Sequence, residues 1–173
     1  MTEVGFVQGD ITRVAADAIV NAANSSLAGG GGVDGAIHRV GGPDVMADLE
    51  RRYGPARHCP TGSAVVSDAG ALPARIVIHA VGPVWRGGGA GEAELLASAY
   101  RTSLDLAAGE GCRSVALPSI STGVYGYPVD LAAGVALDAI DAWIAEHPDV
   151  LDTVTFVLFS ADTLAAFEEA HRS

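Results

Sequence analysis

The sequence predicts an α/β layered fold, and two observations support this prediction. Short apolar runs with strand character alternate with longer runs that have helical apolar spacing. The 173 residues are 49% apolar and 18% charged, which is typical of a globular chain of one domain and not of a disordered one. We therefore expect residues 1–173 to form a single domain with about six strands and five or six helices.

The first half of the chain is predicted to hold two strands and two helices. Val4–Gln8 is a short strand candidate, and Ala18–Asn21 is an apolar run bounded by polar residues, as in a buried strand. Asp34–Val40 is predicted to be a short helix, because a carboxylate near the helix start suits the helix dipole. Pro43–Tyr53 is the second helix candidate.

The second half is predicted to continue the alternation. Further strands are expected at Ser63–Ser67, Arg75–Ala80, Ser114–Leu117 and Thr153–Phe159. Glu92–Ala108 is predicted to be a helix that stops at Gly109, Val129–Glu146 a helix bounded by Pro128 and Pro148, and Asp162–His171 a closing helix. Arg86–Gly91 is expected to be a flexible loop.

Charge and residue usage exclude several classes of function. The net charge is −11, and the chain contains no lysine. Such a chain repels polyanions, so non-specific nucleic-acid binding is not expected. The absence of lysine excludes pyridoxal-phosphate chemistry, the P-loop lysine and the ATP lysine of protein kinases. The spacing of Cys59 and Cys112 indicates neither a zinc site nor a disulfide framework.

No signal peptide and no apolar run of membrane-spanning length is apparent, so we expect a cytoplasmic protein that does not enter membranes. We also expect a monomer.

Two loops carry the candidate chemistry. The segment 21–35 contains four consecutive glycines, which is typical of a phosphate cradle that leads into a helix N-terminus, or else of a mobile surface loop. The segment Pro118–Pro128 follows a strand and precedes a helix, where α/β sheets bind ligands, although an ordinary connection fits equally well. A dinucleotide-binding fold is disfavoured, because the glycines begin eight residues after the strand ends at Asn21.

Single residues in these loops allow two interpretations. Asn21 and Asn24 either bind ligand or cap the backbone, and Asn residues near strand ends more often do the latter. Asp34 and His38, four residues apart on one helix, either position a water or serve the helix itself. His79 is predicted to be a hydrogen-bonded core histidine.

The segments Gly9–Gly42, Cys59–Gly62, Ile76–Trp85 and Leu117–Pro128 resemble the macrodomain family, in particular its MacroD-type branch. This resemblance covers essentially the whole chain. It implies a three-layer α/β/α fold with a central mixed six-stranded sheet. It also implies a hydrolase that binds ADP-ribose and either removes mono-ADP-ribose from acidic side chains, deacetylates O-acetyl-ADP-ribose, or does both. The alternative is a reader module that binds ADP-ribose and cleaves nothing.

The resemblance also implies roles for individual residues. Asp10 would accept a hydrogen bond from the adenine amino group, with the Ile11 backbone next to Asp10. Phe159 would lie against the adenine. Asn24 would hold the distal ribose. The pyrophosphate and that ribose would lie against the residues of both loops, namely Gly32, Val33, Asp34, Ser121, Thr122, Gly123, Val124 and Tyr125.

The chemistry implied is the hydrolysis of a bond at the distal ribose without metal or cofactor. We expect Asp34 to position the attacking water, Asn21 and Asn24 to orient the substrate, and His38 to be a secondary candidate. Because an ordinary aspartate is a weak base at neutral pH, a phosphate oxygen of the substrate is the alternative base. Three substrates stay open: protein esters, O-acetyl-ADP-ribose and modified nucleic-acid ends.

Overall fold

The structure is a computed structural model that describes residues 1–173. Its strands are β1 (Glu3–Gln8), β2 (Ala18–Ala22), β3 (Ala64–Asp68), β4 (Ile76–Ala80), β5 (Ser114–Leu117) and β6 (Thr153–Leu158). Its helices are α1 (Gly32–Gly41), α2 (Pro43–Tyr53), α3 (Glu92–Gly109), α4 (Val129–Glu146) and α5 (Ala161–Arg172), with a short 3-10 turn at Ile11–Arg13.

The six strands form one sheet in the order β1-β6-β5-β2-β4-β3. Every neighbouring pair is parallel except β3 and β4, which are antiparallel, so the sheet is mixed. The parallel strands therefore end at the same edge of the sheet, and the segments that follow them meet there. The mixed six-stranded sheet expected from the resemblance is confirmed.

Helices cover both faces of the sheet. Side chains alternate along each strand, so Ala18 and Val20 of β2 join the core shared with α3, α4 and α5. Ile19, between them, packs on the opposite side with Ile37 of α1. The three-layer α/β/α arrangement is confirmed, and it places α1 over the face of β2 that carries Asn21, with α2 next to α1 and packed on β3.

Several element boundaries differ from the prediction by one or two residues. Strand β2 extends to Ala22, so Asn21 lies inside the strand instead of at its end. Helix α1 begins at Gly32, two residues before Asp34. Phe159 lies just beyond β6 and not within it. The 3-10 turn at Ile11–Arg13 was not predicted, because three residues are too few to show a periodicity. None of the helices has both the length and the apolar character needed to cross a bilayer.

Candidate functional site

The residues predicted to form a site are gathered at the carboxyl edge of the sheet. The glycine-rich loop follows β2, and the loop Pro118–Pro128 follows the adjacent strand β5. Asp10 follows β1 and Phe159 follows β6, which are also neighbours. The two predicted groups, one for phosphates and ribose and one for adenine, thus lie along one continuous edge.

Asp34 lies in the first turn of α1 and is only 6% exposed. Its Oδ1 atom accepts a hydrogen bond from Asn21 Nδ2 at 2.8 Å and lies 3.3 Å from His38 Nε2. Its Oδ2 atom has no donor within the chain. One carboxylate oxygen is therefore fixed by the protein, and the other is free to meet a ligand or a water.

Asn21 is completely buried on the sheet face beneath α1. Besides Asp34, its Nδ2 atom contacts His79 Nδ1 at 3.0 Å on the adjacent strand β4. Its Oδ1 atom has no hydrogen-bond partner. Asn21 is therefore not a turn or cap residue, and its side chain orients Asp34 from inside the strand.

Asn24 organises the glycine-rich loop. Its Nδ2 atom donates to the Gly29 carbonyl oxygen at 2.9 Å, and its Oδ1 atom accepts from Ser26 Oγ at 2.9 Å and from the Ala28 N–H at 3.3 Å. These contacts match the turn-forming interpretation of Asn24. Binding of the distal ribose by Asn24 stays a prediction.

The glycines of this loop allow close approach of backbone and side chains. A Cβ atom at Gly35 would lie 2.5 Å from the Gly30 carbonyl oxygen, so only glycine lets the loop fold against α1 at this point. A Cβ atom at Gly30 would lie 3.3 Å from Asp34 Oδ2 and 3.7 Å from Asn24 Nδ2. Gly30 therefore keeps the free oxygen of Asp34 accessible.

Both loops present backbone N–H groups that make no hydrogen bond within the chain. In the first turn of α1 these groups lack intrahelical acceptors, and the N-cap residue Gly31 supplies no side chain to bind them. The corresponding groups of the second loop are also free. The free donors include those of Gly32, Val33, Asp34, Ser121, Thr122, Gly123, Val124 and Tyr125. Such groups form anion-binding sites without any positive side chain.

The loop after β5 is held from two sides by residues that the sequence interpretation missed. Tyr100 Oη of α3 accepts from the Ile120 N–H and donates to the Pro118 carbonyl oxygen, both at 3.0 Å. The Trp85 N–H donates to the Tyr125 carbonyl oxygen at 2.8 Å. The Tyr100 contacts could not be read from the sequence, because they join positions about 20 residues apart across two elements.

Ser121 is buried in a left-handed conformation, with φ of 72°. Its Oγ atom has no hydrogen-bond partner, and a Cβ atom at Gly82 would lie only 2.2 Å from it. Gly82 follows β4, and β2 lies between β4 and β5, so a glycine at position 82 is required for the loop after β5 to reach across β2 at the sheet edge.

The glycine-rich segment 86–91, which we expect to be flexible, is tethered to α3. Glu92 accepts hydrogen bonds from the backbone N–H groups of Arg86, Gly88 and Ala90 at 2.7–2.9 Å. These N–H groups, that of Arg86 first, lower the pKa of Glu92 to about 2. The tether fixes the segment beside Trp85, whose ring packs on Tyr127 with centroids 4.6 Å apart.

At the predicted adenine end, Asp10 caps the 3-10 turn. Its Oδ1 atom accepts from the Thr12 N–H at 2.9 Å and from the Thr12 hydroxyl at 2.6 Å, and these bonds lower the pKa of Asp10. Its Oδ2 atom lies 3.8 Å from Arg13 Nε and stays open to solvent. Ile11 is buried, whereas the Phe159 ring is 85% exposed beside this edge. No group of three His, Cys, Asp or Glu side chains is arranged to hold a metal ion.

Comparison with known proteins gives consistent matches over this whole architecture. A family model described as Macro domain matches residues 20–136. The chain is 51% identical over 161 residues to an O-acetyl-ADP-ribose deacetylase of Klebsiella pneumoniae, covering 93% of this chain and 91% of that protein. A solved macrodomain of Oceanobacillus iheyensis with ADP is 42% identical, with a TM-score of 0.89 over 96% of this chain and 88% of that one.

A Trypanosoma brucei macrodomain solved in complex with ADP-ribose is also similar. It is 40% identical, with a TM-score of 0.86 over 97% of this chain and 68% of that chain.

Proposed function

Because this chain belongs to the macro domain family, we propose that it binds ADP-ribose at the carboxyl edge of the sheet and hydrolyses an acyl ester on the distal ribose. We include all of residues 1–173 in one such domain, because the single sheet uses strands from both ends of the chain. The substrates we propose are O-acetyl-ADP-ribose and proteins that carry mono-ADP-ribose on acidic side chains.

The free N–H groups of the two loops support binding of the pyrophosphate. They belong to neighbouring segments, one opening α1 and the other following β5, so they can converge on one anion. Neutral donors suit a protein with a net charge of −11 and no lysine, because the binding energy comes from short directed hydrogen bonds and not from long-range attraction.

The observation that carries the hydrolase proposal is the arrangement of Asp34. A carboxylate with one oxygen fixed by Asn21 at 2.8 Å and the other free is oriented for a single contact. An oriented carboxylate lowers a barrier by holding a water in the attacking geometry and by taking its proton. When a substrate phosphate oxygen takes the proton instead, Asp34 still serves by holding the water.

Both substrates react in the same way. The water oxygen bonds to the acyl carbon, and the bond between that carbon and the ribose oxygen breaks. The ribose oxygen receives a proton, and the carboxylic acid, either acetate or a protein side chain, is released. Both substrates place an acyl carbon on a ribose oxygen, so one water position beside Asp34 serves both.

The test uses two substrates and one matched variant. The parent protein and Asp34→Asn are incubated with O-acetyl-ADP-ribose and, separately, with protein mono-ADP-ribosylated on acidic residues, and free ADP-ribose is quantified. We expect release by the parent and very slow release by the variant. Tight ADP-ribose binding without release of product would assign the chain to the readers.

Binding is measured independently by thermal shift. A ligand at 100 times its Kd stabilises a native protein by roughly 2.7 kcal/mol, so ADP-ribose should produce a plain shift, larger than that of AMP. Absence of a shift would contradict the proposal for both the enzyme and the reader.

A further inference from the structure

A ladder of three buried polar side chains crosses the sheet beneath α1 and α2. Asn21 of β2 pairs with His79 of β4. On the other side of β4, Val65 of β3 pairs with His79, and Ser67 lies two residues after Val65 on the same face of the sheet. The three side chains are at most 1% exposed. Buried polar groups are costly unless they are hydrogen-bonded, so their exact hydrogen positions follow from the contacts that they make.

The hydrogen positions in the ladder can be assigned in sequence. Ser67 Oγ lies 3.0 Å from the Asp68 carbonyl oxygen, which can only accept, so the single hydroxyl hydrogen goes there. His79 Nε2, at 2.8 Å, must then donate to Ser67 Oγ. The Nδ1 atom of a neutral imidazole with its proton on Nε2 is an acceptor.

This tautomer determines how the Asn21 carboxamide is turned. Nδ2 donates one hydrogen to His79 Nδ1 at 3.0 Å and the other to Asp34 Oδ1 at 2.8 Å. A flipped carboxamide would place Oδ1 against two acceptors, the bare Nδ1 atom and the carboxylate. The observed orientation is the one that satisfies both neighbours, even though it leaves Asn21 Oδ1 unpaired.

We propose that His79 is a positioning residue for hydrolysis: its neutral imidazole, protonated on Nε2, fixes Asn21 as a donor to Asp34 Oδ1 and so presents Oδ2 to the water. This inference rests on the proposed function, since it concerns the same carboxylate. It assigns a role to a side chain that cannot touch the substrate, because Asn21 lies between His79 and Asp34.

The surroundings of His79 keep the imidazole neutral. Burial, with the His38 ring stacked at 5.9 Å, lowers the pKa of His79 to about 3. The titratable groups that face it are Asp34 and His38 on α1 and Asp48 on α2, and the two carboxylates shift the pKa of His79 upward, against burial. The acceptor at Nδ1 is therefore retained throughout the neutral range, and Asn21 keeps its orientation there.

The test compares two substitutions of His79. In His79→Asn, the new carboxamide oxygen takes the place of Nδ1 and still accepts from Asn21. In His79→Leu, the acceptor is lost at similar bulk. Loss of a hydrogen bond that orients a metal ligand costs about 10–100-fold in activity, and we expect a loss of kcat of the same order in His79→Leu, with KM and the ADP-ribose Kd little changed. His79→Asn should retain most of kcat.

A double-mutant cycle separates positioning from general destabilisation. In the Asn21→Ala background, His79→Leu should cause no further loss of kcat per folded molecule, because the residue through which it acts is absent. Its effect on Tm should appear in both backgrounds. A His79→Leu protein with the parent kcat, or an equal loss of kcat in both backgrounds, would overturn the proposal.

Nitrogen NMR of the His79 ring gives a readout that does not need turnover. The proposal requires an unprotonated Nδ1 atom and a protonated Nε2 atom at neutral pH, and the opposite tautomer or an imidazolium would overturn it. A parent protein that hydrolyses neither substrate would instead refute the proposed function, whatever the tautomer. An active parent with an active His79→Leu variant refutes only the positioning role.

Discussion

Replacing Asp34 separates its chemical role from its structural one. Asp34→Asn keeps an oxygen that can accept from Asn21 Nδ2, whereas Asp34→Ala leaves one of the two N–H groups of that buried amide unpaired. Neither variant retains a carboxylate oxygen to hold the water. We therefore expect both variants to lose turnover by roughly 10²–10⁴-fold, the usual contribution of a positioned acid–base group.

The two variants should differ in stability. An unpaired buried donor costs about 1–3 kcal/mol, and this cost applies to Asp34→Ala but not to Asp34→Asn. In a domain of this size 1 kcal/mol corresponds to roughly 2–4 °C in Tm. Asp34→Ala should therefore melt several degrees below Asp34→Asn, while both bind ADP-ribose much as the parent does, because the free N–H groups of the two loops remain.

The assay is single-turnover hydrolysis of O-acetyl-ADP-ribose, with ADP-ribose Kd and Tm measured on the same preparation. An Asp34→Asn protein that folds, binds and hydrolyses at near the parent rate would remove Asp34 from the mechanism. A phosphate oxygen of the substrate would then be the base. Loss of activity only in Asp34→Ala, in proportion to its lower Tm, would show that Asp34 serves to stabilise α1.

Three further predictions address other parts of the site. Gly30→Ala places a methyl group about 3.3 Å from Asp34 Oδ2, so kcat should fall with little change in Tm. Gly31→Ala is the control, because its Cβ meets nothing within 4 Å, and it should leave kcat unchanged. Equal kcat in the two variants would contradict the role of Asp34 Oδ2. Asp10→Ala should weaken ADP-ribose binding, measured by calorimetry, by about 1–3 kcal/mol, and should bind ADP-ribose and its inosine analogue with equal affinity. Asp10→Ser still caps the 3-10 turn, so it should also lose the preference for ADP-ribose but keep the parent Tm. Glu92→Gln should accelerate amide hydrogen exchange in the segment 86–91. In the parent protein the pKa of Glu92 is lowered from 4.5 to about 2. The parent segment should therefore lose protection from exchange only as the pH falls below roughly 4.5.

The fold could be predicted because its signals are local. The β-branched run at Thr153–Leu158, the helical spacing after Glu92 and the prolines around Val129–Glu146 all act within one element. Their alternation specifies a layered α/β fold, and the parallel strands then bring the loops to one edge. The loops at that edge were predicted as segments for the same reason.

The supporting contacts of the site could not be predicted, because they depend on strand register. The sequence predicts Asn21 at the end of a strand, and its orienting role depends on His79, which lies opposite it on β4. His79 was correctly predicted to be a hydrogen-bonded core histidine, yet its partners come from β2 and β3. Nothing in the order of residues along the chain reveals which strands are neighbours.

The tether formed by Glu92 is a different case, since its signal was present in the sequence. An acidic residue at the start of a predicted helix, directly after a glycine-rich segment, can accept several N–H groups from that segment. The composition of the segment suggested flexibility, whereas the residue that follows it supplies the constraint. A loop is thus better judged together with the first residue of the next helix.

The contact between Asn21 and Asp34 also explains how one helix terminus can serve both binding and chemistry. A carboxylate in the first turn of a helix ordinarily interacts with the free N–H groups at that terminus. Here Asn21 holds the Asp34 carboxylate toward the sheet, and Gly31 at the N-cap has no side chain to occupy those N–H groups. The donors therefore stay available for a phosphate, while the carboxylate on the same turn is held by Asn21 and oriented for the water. A serine or aspartate at position 31 would accept hydrogen bonds from these N–H groups and would compete with the phosphate for them.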